Sequence, residues 1–267
     1  MRIGFVGAGR MGRPMVERLV RAGHDVRAVG RSTEARAALA ETGAHPVESV
    51  TAAARAADAL VVCVFTDDQV REVCLDGPLL RELPPDAVLI VHTTGSPATV
   101  ADIAAAAPAG IGVVDAPVSG GPHSIAAGDL TVFLGGAEDA VVRARAVVRA
   151  YADPILHVGP LGAGQRVKLV NNALFAAQIG LVADAIRLGG QLEVDEATLL
   201  AALPHASSSG RAVIGVAAKG AVEAFRAAVG EFLRKDVAVA RALVTELGGE
   251  LGILDAAIDA GVPADRR

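Results

Sequence analysis

Lys168 and Asn172 stand four residues apart in the run V-K-L-V-N-N, just downstream of a Gly-rich stretch at residues 159–164. On a helix that spacing puts both side chains on one face. A lysine there can take or return a proton, and an amide one turn on can hold a substrate oxygen or position the lysine. The same pair occurs on ordinary solvated helices, so its surroundings decide what it means. A second chemically able stretch opens the chain: Ile3-Gly4-Phe5-Val6 runs into Gly7-Ala8-Gly9-Arg10-Met11-Gly12, the pattern G-x-G-x-x-G, and then into an amphipathic helix. In such a turn Gly7 permits the reversal, Gly9 lets the backbone approach a pyrophosphate, and Gly12 lets the helix pack on the strand with its N-terminus toward the phosphates.

The elements that must position these residues follow from the pattern of the chain. Short β-branched runs at residues 3–6, 26–29, 59–65, 88–91, 112–115, 130–134 and 155–158 alternate with Ala-rich helical stretches. Strands separated by single helices indicate a doubly wound, mostly parallel sheet with its ligand crevice at the carboxyl ends of the strands. From Gln165 to about Leu192 there is neither proline nor a β-branched cluster, which predicts one long helix; shorter helical segments follow to Val262. The predicted fold is an α/β Rossmann domain over residues 1–161 and an all-α domain over 162–267, beginning with the long connecting helix that carries Lys168 in its first turns.

Bulk properties narrow the function classes. The chain has 267 residues, 52% hydrophobic, enough to bury a large core. A formal net charge of −5 and the absence of a Lys/Arg block argue against nucleic acid or an anionic membrane as the main partner. The longest uninterrupted apolar run, residues 59–65, is too short to span a bilayer, and the N-terminus reads as a nucleotide-binding strand, so a soluble cytoplasmic protein is expected. Cys63, in a predicted buried strand, and Cys74, in the next helix, give no disulfide framework. The six histidines are scattered, and no metal is expected.

Four blocks in this order resemble the β-hydroxyacid dehydrogenases, the family of 3-hydroxyisobutyrate dehydrogenase. They are the glycine turn with its flanks at residues 4–15; Asp115-Ala116-Pro117-Val118-Ser119-Gly120-Gly121 with Gly128 and Leu130-Thr131; Gly162-Ala163-Gly164 with Lys168 and Asn172; and Lys235-Asp236-Val237-Ala238. The resemblance implies that Lys168 is the acid/base and Asn172 orients substrate. It implies that Ser119, Gly120 and Gly121 contact a substrate carboxylate; their consecutive N–H groups can form an anion-binding nest, although a Gly-Gly reversal would look the same. It further implies that Lys235 closes over the nicotinamide end, where a solvated lysine paired with Glu231 is the plainer reading. Partial burial beside a cationic ring would disfavour the charged form of Lys168 and make it a better base. The segment His205 to Arg211 is similar to a region near the family's substrate mouth and makes Ser209 a further candidate, though a helix cap uses the same residues.

Two loops after strands complete the expected cofactor site: Phe65-Thr66-Asp67, passing the ribose, and Thr93-Thr94-Gly95-Ser96-Pro97, which the resemblance puts beside the nicotinamide ribose with Thr94 as the expected contact. An NAD enzyme of this fold commonly has an acid at the end of the second strand. Here that place reads Val29-Gly30-Arg31-Ser32-Thr33, with Arg36 one turn on, so NADP is preferred over NAD: Arg31 can pair with a 2′-phosphate to which Ser32 or Thr33 donates. The expected partners are a small carboxylate-bearing substrate and a second copy of the chain, as a dimer or tetramer through the helical domain. An imine reductase shares the architecture but typically lacks the lysine. A non-catalytic nucleotide-binding interaction protein would keep the glycines without needing Lys168, Asn172 and Ser119 together.

Overall fold

The computed structural model describes residues 1–262. In chain order the elements are β1 (Arg2–Val6), α1 (Gly12–Arg21), β2 (Asp25–Val29), α2 (Thr33–Ala40), β3 (His45–Val47), α3 (Val50–Ala54), β4 (Ala59–Val62), α4 (Asp67–Cys74), α5 (Leu79–Glu82), β5 (Val88–Val91), α6 (Pro97–Ala106), β6 (Gly112–Asp115), β7 (Val118–Ser119), α7 (Pro122–Ala127), β8 (Leu130–Gly135), α8 (Glu138–Val148) and β9 (Ala152–Gly159). The helical part follows: α9 (Ala163–Gln191), α10 (Glu196–Ala202), a short 3₁₀ turn (Leu203–His205), α11 (Arg211–Lys219), α12 (Val222–Glu246) and α13 (Ile253–Gly261). Two compact units, Met1–Lys168 and Leu169–Arg267, divide the chain within α9.

In the first unit the strands lie in the order β3-β2-β1-β4-β5-β6-β8-β7, with β9 beside β8. The six from β3 to β6 run parallel. β8 is antiparallel to β6 and β7, whereas β9 returns parallel to β8. The order reverses between β1 and β4, which is where a doubly wound sheet opens its ligand crevice. Helices cover both faces, so β4 (ALVV) and β5 (VLIV) are buried along their whole length. Alternation then splits each strand between two cores: Val61 and Ile90 pack with Met15 and Leu19 of α1, while Leu60 and Leu89 pack with Val70 and Ile103 on the other face.

Three sequence expectations change here. The strand expected over residues 59–65 ends at Val62, because beyond it the chain leaves the sheet for the cap of α4; Cys63 therefore lies past the strand, half-buried. β3 is an additional strand of three residues containing Pro46, which an edge position tolerates. β7, of two residues, is also additional and carries Ser119 opposite Thr131.

In the second unit Ala176, Ile179 and Val182 of α9 pack with Val213 and Val216 of α11, Phe225 and Leu233 of α12, and Ile258 of α13. Phe175 and Phe225 meet edge to face, their centroids 6.2 Å apart. No strand occurs among the described residues of this unit. By length and composition α9 is apolar enough to cross a membrane, but it is a core helix whose small and branched residues build this cluster.

Candidate active site

The glycine turn after β1 has the shape a dinucleotide requires. Gly7 has φ +94° and sits so close to the Cys63 carbonyl after β4 that no Cβ would fit. A Cβ on Gly12 would strike the Gly7 carbonyl and come within 2.8 Å of the Phe5 ring. At Gly9, by contrast, a Cβ would meet nothing within 4 Å. Two of the glycines thus bring strand and helix together, and the third exposes backbone toward open space. Ala8 and Met11 are half-buried between them, and Arg10 is exposed. The N-terminus of α1 has no side-chain cap and no acidic residue in its first turn, so its N–H groups and partial positive charge suit a pyrophosphate.

Around this cradle the other predicted cofactor residues take different places. Ser32 caps α2, accepting from Ala35 N at 3.1 Å. Arg36 is tied back, donating to the Gly30 carbonyl at 3.2 Å and Thr33 Oγ1 at 3.3 Å, and lies 3.4 Å from Glu48. Arg31 is exposed beside them. After β4, Thr66 and Gln69 form a capping box in which the Gln69 amide oxygen accepts from Phe65 N and Thr66 N at 2.9 and 3.1 Å. Phe65 itself is half exposed. After β5, Thr93 is buried and bonds both the N–H and the carbonyl of Val64, at 3.0 and 2.9 Å, whereas Thr94 is half-buried. Asp67 links the two loops, accepting from Ser96 N at 3.0 Å and Thr99 Oγ1 at 2.5 Å.

His92, just past the end of β5, is fully buried, with Nδ1 2.6 Å from the Ala116 carbonyl and Nε2 2.7 Å from the Tyr151 hydroxyl. The carbonyl can only accept, so Nδ1 carries the proton and the tyrosine donates to Nε2. Burial lowers the His92 pKa to about 4 and pushes that of Tyr151 up. Beyond Ala116, Ser119 closes β7 and Gly120 turns with φ +132° into Gly121, which caps α7. His123, at the start of that helix, faces solvent.

Lys168 is buried, at 7% exposure. The turn of α9 preceding it is held by Gln165 and by Asp115, at the end of β6. Asn172 is buried in the second unit, where its Nδ2 donates to Asp236 Oδ2 at 2.5 Å and its Oδ1 accepts from Asn171 at 2.9 Å. The Lys235 ammonium forms an ion pair with Asp236, 2.6 Å from Oδ1. Ser209 is exposed at the rim of a separate apolar pocket of about 290 Å³, lined by Gln178, Leu181 and Val182 of α9 and by Ala212 and Val213. Gln165, Asp115 and Asp236 carry no role in the sequence reading; what marks them is burial of a polar group, visible only in three dimensions.

The sequence matches, over residues 2–159, the family described as the NAD binding domain of 6-phosphogluconate dehydrogenase. A 3-hydroxyisobutyrate dehydrogenase of Pseudomonas aeruginosa is 34% identical over 207 residues, 77% of this chain and 70% of its own. The chain belongs to the β-hydroxyacid dehydrogenase family. Another relative from Pseudomonas aeruginosa, an NAD-dependent L-serine dehydrogenase, is 35% identical to this family member over 210 residues, 78% of the chain and 70% of the relative. Among solved structures, Mycobacterium tuberculosis 3-hydroxyisobutyrate dehydrogenase with L-serine superposes at a TM-score of 0.85, with 29% identity over 96% of this chain and 91% of that one. The β-hydroxyacid dehydrogenase assignment makes the protein an NAD(P)-dependent oxidoreductase, and its glycine turn lies within the matched NAD binding domain.

Proposed function

We propose that this enzyme reversibly oxidises a small 3-hydroxyacid to its semialdehyde with NADP, Lys168 acting as acid/base. The observation that carries the reading is the burial of Lys168 on α9, one turn after a side chain bonded to the loop following β5. When bound, the nicotinamide cofactor supplies the acceptor or donor of hydride at the substrate carbon. Lys168 takes the hydroxyl proton in oxidation and returns it in reduction. Asn172, one turn on, holds the substrate oxygen, and Ser119, Gly120 and Gly121 hold its carboxylate. The relatives named for L-serine and 3-hydroxyisobutyrate support a substrate of this size and charge.

The NADP preference rests on exposed Arg31 and on the absence of an acid at the end of β2. An exposed apolar stripe on α9, with Val170, Leu174, Leu181 and Leu188, supports self-association through the helical unit. The composition supports a cytoplasmic enzyme.

Purified protein assayed with NADPH and NADH against a panel of small hydroxyacids and semialdehydes, L-serine and 3-hydroxyisobutyrate included, tests the reading. Lys168→Ala is expected to lower kcat by about two orders of magnitude with cofactor affinity nearly unchanged. Near-wild-type turnover would sink the assignment, and tight cofactor binding with no turnover on the panel would favour a non-catalytic binder. Arg31→Ala should raise KM for NADPH about tenfold and leave that for NADH alone. A native preference for NADH rejects the role given to Arg31.

A further inference from the structure

A helix leaves the N–H groups of its first turn without internal partners. At the start of α9 two of these are taken by a side chain distant in sequence. Asp115, wholly buried at the end of β6, accepts from Gly162 N at 2.6 Å through Oδ1 and from Gln165 N at 2.7 Å through Oδ2. Gln165, 1% exposed, uses both ends of its own amide: Oε1 accepts from Gly95 N at 3.0 Å, and Nε2 donates to the Thr93 carbonyl at 2.8 Å. Thr93 is bonded in turn to Val64. The chain ends of β4, β5 and β6 are thereby joined, through one amide and one carboxylate, to the turn that precedes Lys168.

A local cap would satisfy such N–H groups more cheaply. Asp195 does so for α10, exposed to water and bonded to Thr198 N at 2.8 Å. Asp115 does it at the cost of burying a carboxylate, and burial pushes its pKa up against the downward pull of the two N–H bonds. What the buried arrangement adds is position. Residues three apart on a helix share a face, so any rotation or slide of the first turn of α9 would carry the Lys168 amine with it.

We infer that Asp115 and Gln165 are positioning residues for the acid/base, fixing where the Lys168 amine stands relative to the loops that end β5 and β6. The inference rests on the reading of Lys168 given above. Gln165→Glu is the discriminating substitution, because it preserves shape and makes the bond to Thr93 depend on a proton. Ionised, the new side chain sets an oxygen against the Thr93 carbonyl, and two acceptors repel. Protonated, it puts a hydroxyl where the amide nitrogen stood. The charged groups around it are Asp115 from β6, Arg166 and Lys168 on α9, and Asp67, whose carboxylate lies against Gly95.

With the best substrate from the panel and saturating cofactor, the ratio of Gln165→Glu to wild-type kcat is expected to be about one tenth or less near pH 8.5 and to recover to within about threefold near pH 6. Gln165→Leu should stay low throughout, and NADPH affinity, read by fluorescence, should change less than about twofold in both. In parallel, and without substrate, the rate at which an amine-directed reagent acylates Lys168, followed by peptide mass, should differ from wild type near pH 8.5 and converge on it as the pH falls. A pH-independent ratio, or a loss that simply follows the folded fraction by circular dichroism, overturns the inference while Lys168→Ala remains inactive. Full turnover by Lys168→Ala would instead overturn the underlying reading. If Gln165→Glu does not fold, Asp115→Asn serves: it keeps one acceptor and should lower kcat about tenfold with NADPH affinity intact, and wild-type kcat in that variant overturns the proposal.

Discussion

Gln165 and Asn172 are both buried amides on α9, seven residues apart, and they are held by opposite means. The side-chain amide of Gln165 is bonded to backbone groups, the Gly95 N–H and the Thr93 carbonyl. Asn172 is bonded only to side chains, those of Asn171 and Asp236, and Asp236 is itself ion-paired with Lys235. Backbone partners inherit the rigidity of the sheet and carry no net charge. Side-chain partners must be held in turn by something else, and here that something is a buried carboxylate. The comparison teaches that one helix can fix two buried amides by different means, the Gln165 amide through neutral bonds to backbone and the Asn172 amide through a charged side chain.

The strongest break in that contrast is Asp236→Ala, which removes the acceptor of the Asn172 amide and the carboxylate beside Lys235. A loss of about 3–5 kcal/mol in urea unfolding is expected, with Asp236→Asn recovering much of it because an acceptor oxygen remains. If alanine and asparagine cost the same, the network is held by packing and not by the carboxylate.

The next largest effect belongs to the first unit and to acid. His92 is neutral in the folded chain down to about pH 4, whereas an unfolded histidine takes a proton below about 6.5. The unfolded state therefore binds more protons in that window, and stability falls as pH falls through it. Between about pH 7.5 and pH 5 the loss from this one group should be about 2 kcal/mol, measured by denaturant titration at each pH. His92→Gln should remove that slope, and an unchanged slope would locate the acid sensitivity elsewhere. Smaller still is Thr93→Val, nearly isosteric, which removes both bonds to Val64; about 1–2 kcal/mol is expected from the midpoint of thermal unfolding. A cost equal to that of Asp236→Ala would erase the distinction between the neutral and the charged anchorage.

Much of this was legible in the chain because it is local. Strand-turn-helix at residues 3–21, alternation in the buried strands, and the four-residue spacing of Lys168 and Asn172 are read within one window. β3 and β7 escaped because three residues around a proline and two beside a turn are too short to show a period. The devices that hold the site escaped for a different reason. Asp115 meets Gln165 across 50 positions, Gln165 meets Gly95 across 70, and Asn172 meets Asp236 across 64. No propensity or spacing rule spans such intervals, since the pairs exist only once the sheet and the helical core have formed. Thr66 and Ser32, expected from the sequence as candidate ligands for a nucleotide, each also accept a bond at the start of a helix, which leaves the O–H to donate.

The three glycines of the turn look alike as letters, but only Gly9 has empty space where a methyl group would go. Gly7 and Gly12 are therefore constrained by chain assembly, and an organism that abandoned the cofactor would still have to keep them. On the cofactor site proposed above, Gly9 is constrained by the ligand alone. In a lineage where this fold has lost its nucleotide, Gly9 is the position that drifts first, and a side chain there marks a retired enzyme better than any change at its two neighbours.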